Sequence, residues 1–381
     1  MKFLFASDSF KGTLSSERIT ALLEESAGRI FPGCETAGVP VADGGEGTID
    51  AVISALNGTY RRLMVHGPLM EECGSFYGEF EGDSAIIEMA AASGLPMVPA
   101  EKRNPLNTST YGTGELIKDA LDRGYRKISI AIGGSATNDG GMGAMAALGF
   151  RFLDNHDRIV TPVGENLIRV VRIDTSGILP ELREKISVTV MCDVRNPFTG
   201  PDGATYVYGP QKGASDEALA RLEEGMLHFA DVIKRDLGKE IKEIPGAGAA
   251  GGLGGAFCAF LDGKLKSGIL TMLDLVRFDS IIENADLIIT GEGRADGQSA
   301  QGKVLWGIGT CAGEKEVPVI AVVGGMLPEA RKLYDCGITA IVPALNCAMP
   351  LADVLNHSEE LLHDAAERTF LLLKAGMTFV S

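Results

Sequence analysis

The sequence predicts an α/β protein of two domains: a discontinuous Rossmann-like domain, with a second mixed-sheet α/β domain inserted into it and the active site in the cleft between them. Three observations predict it. Short β-prone runs alternate with helical patterns along the chain. Residues 1–65 and 280–381 carry plain βα spacing, whereas 66–279 is more mixed. Several β runs break abruptly into loops of glycine and small polar or acidic residues, and the carboxyl ends of parallel strands are where open α/β sheets bind ligands.

The elements follow in order. Lys2–Ala6 reads as a strand, and Ser15 and Ser16 stand where an N-cap belongs, ahead of a helix that puts Ile19, Leu22 and Leu23 on one face. Val39–Ala42 reads as a second strand, and "GTIDAVISALNG" as a helix closed by Gly58. The stretch from Arg61 to Ala90 alternates, carries turn signals and has no helix between its strands, so it predicts antiparallel or mixed sheet. Ala85–Met89, Ile128–Ile132, Ser187–Met191, Leu287–Thr290, Val317–Val323 and Ile338–Val342 are further strands. "DEALARLEEGMLHFADVIKRDLG" is amphipathic and helical, as is "SEELLHDAAERTFLLL", whose apolar face is placed to close the Rossmann-like domain.

Composition narrows the function classes. Of 381 residues, 45% are hydrophobic and 23% charged, a balance that supports a folded core. The net charge of −16 argues against a general nucleic-acid binder, whose affinity comes from Lys and Arg paired with phosphate. A local cluster of cations and backbone N–H groups still holds a small anion against the global sign. The seven cysteines are scattered without a CxxC, and the five histidines lack metal-ligand spacing, so neither a disulfide framework nor a zinc site is expected. No apolar run approaches the ~20 residues of a membrane span, and "MKFLFASDSFKG" meets Asp8 too early for a signal peptide, so the expected location is cytoplasmic.

Chemistry collects after the strands. "FLFA" leads to Ser7, Asp8, Ser9 and Lys11; "VPVA" to "DGGEGT", with Asp43 and Glu46; "ISIAI" to "GGSATNDGGMG", with Gly133, Gly134, Ser135, Thr137, Asn138 and Asp139; "SVTVM" to Asp193, Arg195 and Asn196; "LIIT" to Glu292, Arg294, Asp296 and Lys303. A lone acid after a strand is more often a turn former or helix cap, and Ser7 and Asp8 are assigned that role. "DGGEGT" and "GGSATNDGG" are harder to assign so, because glycine pairs beside polar groups cost backbone entropy and permit close approach of a ligand. "GAGAAG" at Gly246–Gly251 fits G-x-G-x-x-G, but the charged "GKEIKEIP" before it is no buried strand, which rejects a dinucleotide site and leaves a phosphate contact or close helix packing. Lys212 in "GPQKGA" is either a solvated loop lysine or a phosphate ligand. Walker-type and protein-kinase motifs are absent.

"SDSFKGTLSS", "PVADGGEGT", "EMAAASGL", "TYGTGELI", "GGSATNDGGMG", "CDVRNPFTGPDGA", "GPQKGA", "PGAGAAGGLGGA" and "ADLIITGEGRADGQSAQGK" together resemble the glycerate kinase type 1 family, in register over almost the whole chain. The resemblance implies ATP-dependent phosphorylation of D-glycerate with Mg²⁺, giving ADP and 2-phosphoglycerate, with O3 phosphorylation or a non-catalytic anion-binding protein as alternatives. Its partners would be D-glycerate and ATP, on a monomer or a homodimer. On that expectation Lys11 and Arg294, with Ser9 and Asp296, bind glycerate or the moving phosphoryl. Asp43 and Asp193 serve as metal ligands or general base, with Glu46 and Glu292 also metal ligands. Gly133, Gly134, Ser135, Thr137, Asn138, Lys212 and Lys303 hold ATP phosphates.

Overall fold

A computed structural model describes residues 1–45 and 47–378. The chain divides into two compact units, one of residues 1–43 and 268–381, the other of residues 44–267. These bounds differ from the expected cuts at 65/66 and 279/280, and the packing explains the difference. Thr59–His66 pairs antiparallel with Glu72–Phe80. The helix Thr48–Leu56 lies on that hairpin, with Ile53 filling the space a side chain at Gly78 would take. Downstream, the helix Gly268–Leu275 sets Ile269 against Gly307 of the helix Val304–Glu314, which fixes it to the first unit.

The first unit holds a five-stranded parallel sheet in the order Ala340–Pro343, Val319–Val323, Leu287–Gly291, Lys2–Ser7, Glu35–Gly38. Counted in this unit's own chain order it is 2-1-3-4-5, a doubly wound arrangement whose order reverses between Lys2–Ser7 and Leu287–Gly291. Alternation decides the two faces. Phe3, Phe5, Leu287, Ile289 and Val322 point to the side covered by Ser16–Ile30 and Ser358–Met377, where Leu22, Leu362 and Phe370 complete a core. The C-terminal helix closes this unit, as its apolar face predicts. Ser15 caps Ser16–Ile30 by accepting the Arg18 N–H.

One strand is displaced from its expected place. The ladder beside Lys2–Phe5 is formed by Glu35–Gly38, not by Val39–Ala42. The polar "ETAG" tolerates an exposed sheet edge, while Val39, Val41 and Ala42 are buried just beyond it.

The second unit carries a six-stranded mixed sheet in the order Lys264–Lys266, Ser187–Met191, Lys127–Ala131, Ser84–Glu88, Glu72–Phe80, Thr59–His66. Its first four strands run parallel, Glu72–Phe80 pairs antiparallel with Ser84–Glu88, and Thr59–His66 pairs antiparallel in turn with Glu72–Phe80. Asp216–Leu237 is helical from its Ser215 cap to Gly238, which takes the left-handed conformation. Among the described residues all seven cysteines are free thiols, and no helix is long and apolar enough to cross a membrane.

Candidate active site

In the first unit the two strands at the order reversal end side by side. Ser7 is in register with Gly291, and the Asp8 N–H donates to the Gly291 carbonyl at 2.9 Å. Asp8 and Glu292 therefore follow adjacent strands at one point. Gly291 has to be glycine, because a Cβ there would stand 2.2 Å from the Val322 carbonyl oxygen of the neighbouring strand. Beyond it, Arg294–Ala295 pairs with Gly325–Met326, which turns the following loop over the sheet end.

That loop is tied by its own side chains. Ser299 Oγ accepts the Asp296 N–H at 3.0 Å, and Asp296 Oδ1 accepts the Gln298 N–H at 2.9 Å. Arg294, whose side chain is 69% exposed, reaches Asp296 at 3.4 Å and is available to an incoming anion. Lys303 occupies the N-cap position of Val304–Glu314. A cleft of about 590 Å³ opens here, lined by Asp8, Ser9, Lys11, Asp43, Glu292, Arg294, Asp296 and Lys303 on its ionic side.

Two of its acids are unusual. Glu292 is buried, and its Oε1 has no hydrogen-bond partner among the described residues. Burial pushes its carboxyl up to about 7, aided by the charges of Asp8 and Asp296 and opposed by Ser299 and Lys303. Asp8 is pushed up to about 6, first by burial and then by Asp43, against the Ser9 N–H and the charges of Lys11 and Lys303. Asp8 does form the local turn expected of it, accepting the Ser9 N–H at 2.7 Å. Its burial in the cleft is what the sequence did not show. The one available signal was its position directly after the strand at the sheet's reversal.

A second hollow in this unit, of about 700 Å³, is lined by Ile320, Ala340, Val342 and the end of the C-terminal helix. Among the described residues its lining carries no charged group, whereas the cleft at the strand ends does, so that cleft is the candidate site.

In the second unit, Lys127–Ala131 leads into the glycine loop. Gly133 and Gly134 are exposed, and Gly134 has φ +76°, a conformation glycine adopts freely. The rest of the loop is buried. Lys212 is itself buried, and its Nζ donates to Ser135 Oγ at 2.8 Å and to the Thr137 carbonyl at 2.7 Å. Burial brings the Lys212 ammonium down to about 7, against the favourable charge of Asp139. Thr137 and Asn138 are wholly enclosed, with Thr137 Oγ1 and Asn138 Oδ1 lacking partners among the described residues. Asp139 accepts the N–H groups of Thr110, Gly141 and Gly143 and the Thr110 hydroxyl, locking the loop to the helix behind it.

Lys212, Thr137 and Asn138, expected to meet phosphate, have their polar atoms inside the unit in this structure, where Lys212 braces the loop from beneath. The accessible polar groups are the backbone at Gly133 and Gly134. The "GAGAAG" run packs behind this loop. A Cβ at Gly251 would lie 2.0 Å from the Thr137 carbonyl oxygen, and one at Gly248 would lie 2.1 Å from that of Pro197. The run is a close-packing device.

Asp193 is exposed just beyond Ser187–Met191, and its loop is held by Asn196, which donates to the Asp202 carbonyl and accepts from the Tyr208 hydroxyl. Asp43 lies in the first unit with Asp8, and Asp193 in the second. Glu46 lies outside the described residues.

Parallel strands that end in loops of acids, cations and bare amides define an α/β enzyme. A model of the glycerate kinase family matches residues 3–374. The chain is 45% identical to a glycerate kinase of Bacillus subtilis (strain 168), over 99% of each chain. It is 42% identical to a glycerate 2-kinase of Escherichia coli (strain K12), again over 99% of each. A crystal structure from Salmonella typhimurium LT2, provisionally described as glycerate kinase 2, superposes with a TM-score of 0.90 at 40% identity, over 99% of each chain. The chain belongs to the glycerate kinase family, and is a kinase.

Proposed function

We propose that the protein transfers the γ-phosphoryl group of ATP to O2 of D-glycerate, giving 2-phosphoglycerate and ADP. The observation that carries this is the ionic cleft at the sheet's reversal, where acids, cations and the exposed Arg294 converge. Kinase membership implies ATP as co-substrate. The name of the Escherichia coli relative, glycerate 2-kinase, supports O2 as the acceptor.

Phosphoryl transfer requires neutralised charge, an oriented nucleophile and a proton acceptor. Arg294 and Lys11 take the glycerate carboxylate, with Ser9 as a hydroxyl partner and Asp296 holding the guanidinium in place. Asp8 accepts the proton of the attacking hydroxyl, because a carboxyl raised to about 6 is a better base near neutral pH than an ordinary one. Lys303, in the same cleft, is a cation available to the developing phosphoryl charge. In the second unit the exposed amides of Gly133 and Gly134 serve the nucleotide's phosphates, with Lys212 and Ser135 holding that loop in shape. Asp193 acts as a further site carboxylate.

Mg²⁺ fits this donor set. Among the described residues no group of three or more His, Cys, Asp or Glu is arranged to hold an ion. Mg²⁺ in kinases takes most of its ligands from phosphates and water and needs only one or two carboxylates. The buried, unpartnered Oε1 of Glu292 suits one of these, with Asp43, which lines the same cleft, as a second. Bound there, the ion would neutralise phosphoryl charge.

Coupled ADP release with D-glycerate tests the proposal. Wild-type turnover should depend on D-glycerate, and Asp43→Asn, Asp193→Asn and Arg294→Ala should each depress it strongly while circular dichroism stays native. Wild-type rates in all three would remove this site.

A further inference from the structure

The cleft of the first unit has two unlike sides. Besides its ionic loops it is lined by Leu345, Met349, Leu351, Val354 and Leu355. Leu351, Val354 and Leu355 share one face of the short helix Leu351–Asn356, at i, i+3 and i+4. Leu351 is 72% exposed and Leu355 48% exposed, so the shelf spends apolar surface on an open cleft. Exposed apolar groups gathered beside polar ones mark a binding surface.

We propose that this shelf seats the purine base of the nucleotide. The proposal rests on the kinase reading and adds where the donor's base lies. Glycerate and the triphosphate are polar throughout, so they gain nothing from a leucine surface. The base is the part of either substrate with a broad apolar face. The shelf is continuous with the ionic side within one cavity of about 590 Å³, a size suited to a nucleotide-sized ligand and generous for a three-carbon acid. Met349 supplies a soft sulfur of the kind that packs well on aromatic rings. Besides Ser9, the neutral polar side chains of the cleft are Thr13, Gln298 and Ser358, and so sparse a polar set discriminates weakly between bases.

Calorimetric titration with Mg·ATP and, separately, with the Mg²⁺ complex of inorganic tripolyphosphate isolates the nucleoside, and the shelf variant then isolates what the base gains there. Wild type should bind ATP at least roughly tenfold more tightly than tripolyphosphate, the scale of burying part of two apolar side chains. The double variant Leu351→Ser, Leu355→Ser should lose that advantage while keeping its tripolyphosphate affinity, which also shows that it is folded. Leu372→Ser, at an exposed leucine of the separate apolar hollow, should leave both affinities unchanged. GTP should bind within roughly tenfold of ATP. The proposal is overturned if the double variant retains the ATP advantage, or if wild type shows none. Failure of the wild type to phosphorylate glycerate would overturn the kinase reading instead, and the titration would still report on the shelf.

Discussion

Replacing Lys212 with methionine separates the cost of a buried amine from its use. The ammonium is brought from an ordinary 10.5 to about 7 by burial. At 1.36 kcal/mol per pKa unit, burying the charged form costs about 5 kcal/mol. Methionine has a similar length and no charge, so that cost disappears. Against it stand two lost hydrogen bonds, to Ser135 Oγ and the Thr137 carbonyl, whose buried acceptors are left unpaired at about 1–3 kcal/mol each. Near pH 7 the two effects nearly cancel, so net stability is a poor test and its pH dependence a good one. The depressed amine binds its proton more weakly in the folded than in the unfolded state. Wild-type stability should therefore rise with pH through the window from about 7 to 10.5, and the variant should lack this component. Between pH 6.5 and 9.5 the difference between the two proteins should change by about 3 kcal/mol in favour of wild type. Urea unfolding followed by circular dichroism at several pH values measures it, and the fluorescence of Trp306, in the other unit, gives an internal control. Stability curves that stay parallel across this window would refute the assignment of a charged amine held beneath the glycine loop.

Three further outcomes follow from the same geometry. Glu292→Gln removes a carboxyl whose folded pKa is raised from 4.5 to about 7, so the native charge is destabilising above that window and not below it. The variant should be more stable than wild type by up to about 3 kcal/mol at pH 8, with the gain vanishing near pH 4, while its turnover falls at least ~100-fold. Asp8→Asn should lower kcat by about 10²–10⁴, and in the wild type the acid limb of the pH–rate profile should fall as pH drops below about 6, where Asp8 becomes protonated. Gly134→Ala meets nothing closer than 3.5 Å but must hold φ +76°, so it should cost about 1–2 kcal/mol by thermal unfolding and raise the KM for ATP.

The sequence showed the strand-end loops because a buried parallel strand is a continuous apolar run, and its break into glycine and charge is visible without coordinates. Leu287–Gly291 and Val319–Val323 were legible for that reason. Glu35–Gly38 was not, because a polar edge strand carries no such run and the apolar residues beside it belong to the core. Side-chain direction was also hidden. Lys212 stands 77 residues from Ser135, and nothing local to either shows that the lysine points inward. The raised carboxyls of Asp8 and Glu292 come from burial by distant segments, which spacing along the chain does not encode. The apolar shelf on Leu351–Asn356 was unread because a short helix with leucines looks like any core element until its exposure is known.

Phosphorus NMR of the products formed from D-glycerate and Mg·ATP is the most direct measurement of the central claim. The proposed transfer to O2 predicts ADP together with the single phosphoester resonance of 2-phosphoglycerate. A 3-phosphoglycerate resonance would contradict transfer to O2, and the absence of any glycerate phosphoester with ATP intact would contradict the kinase assignment itself.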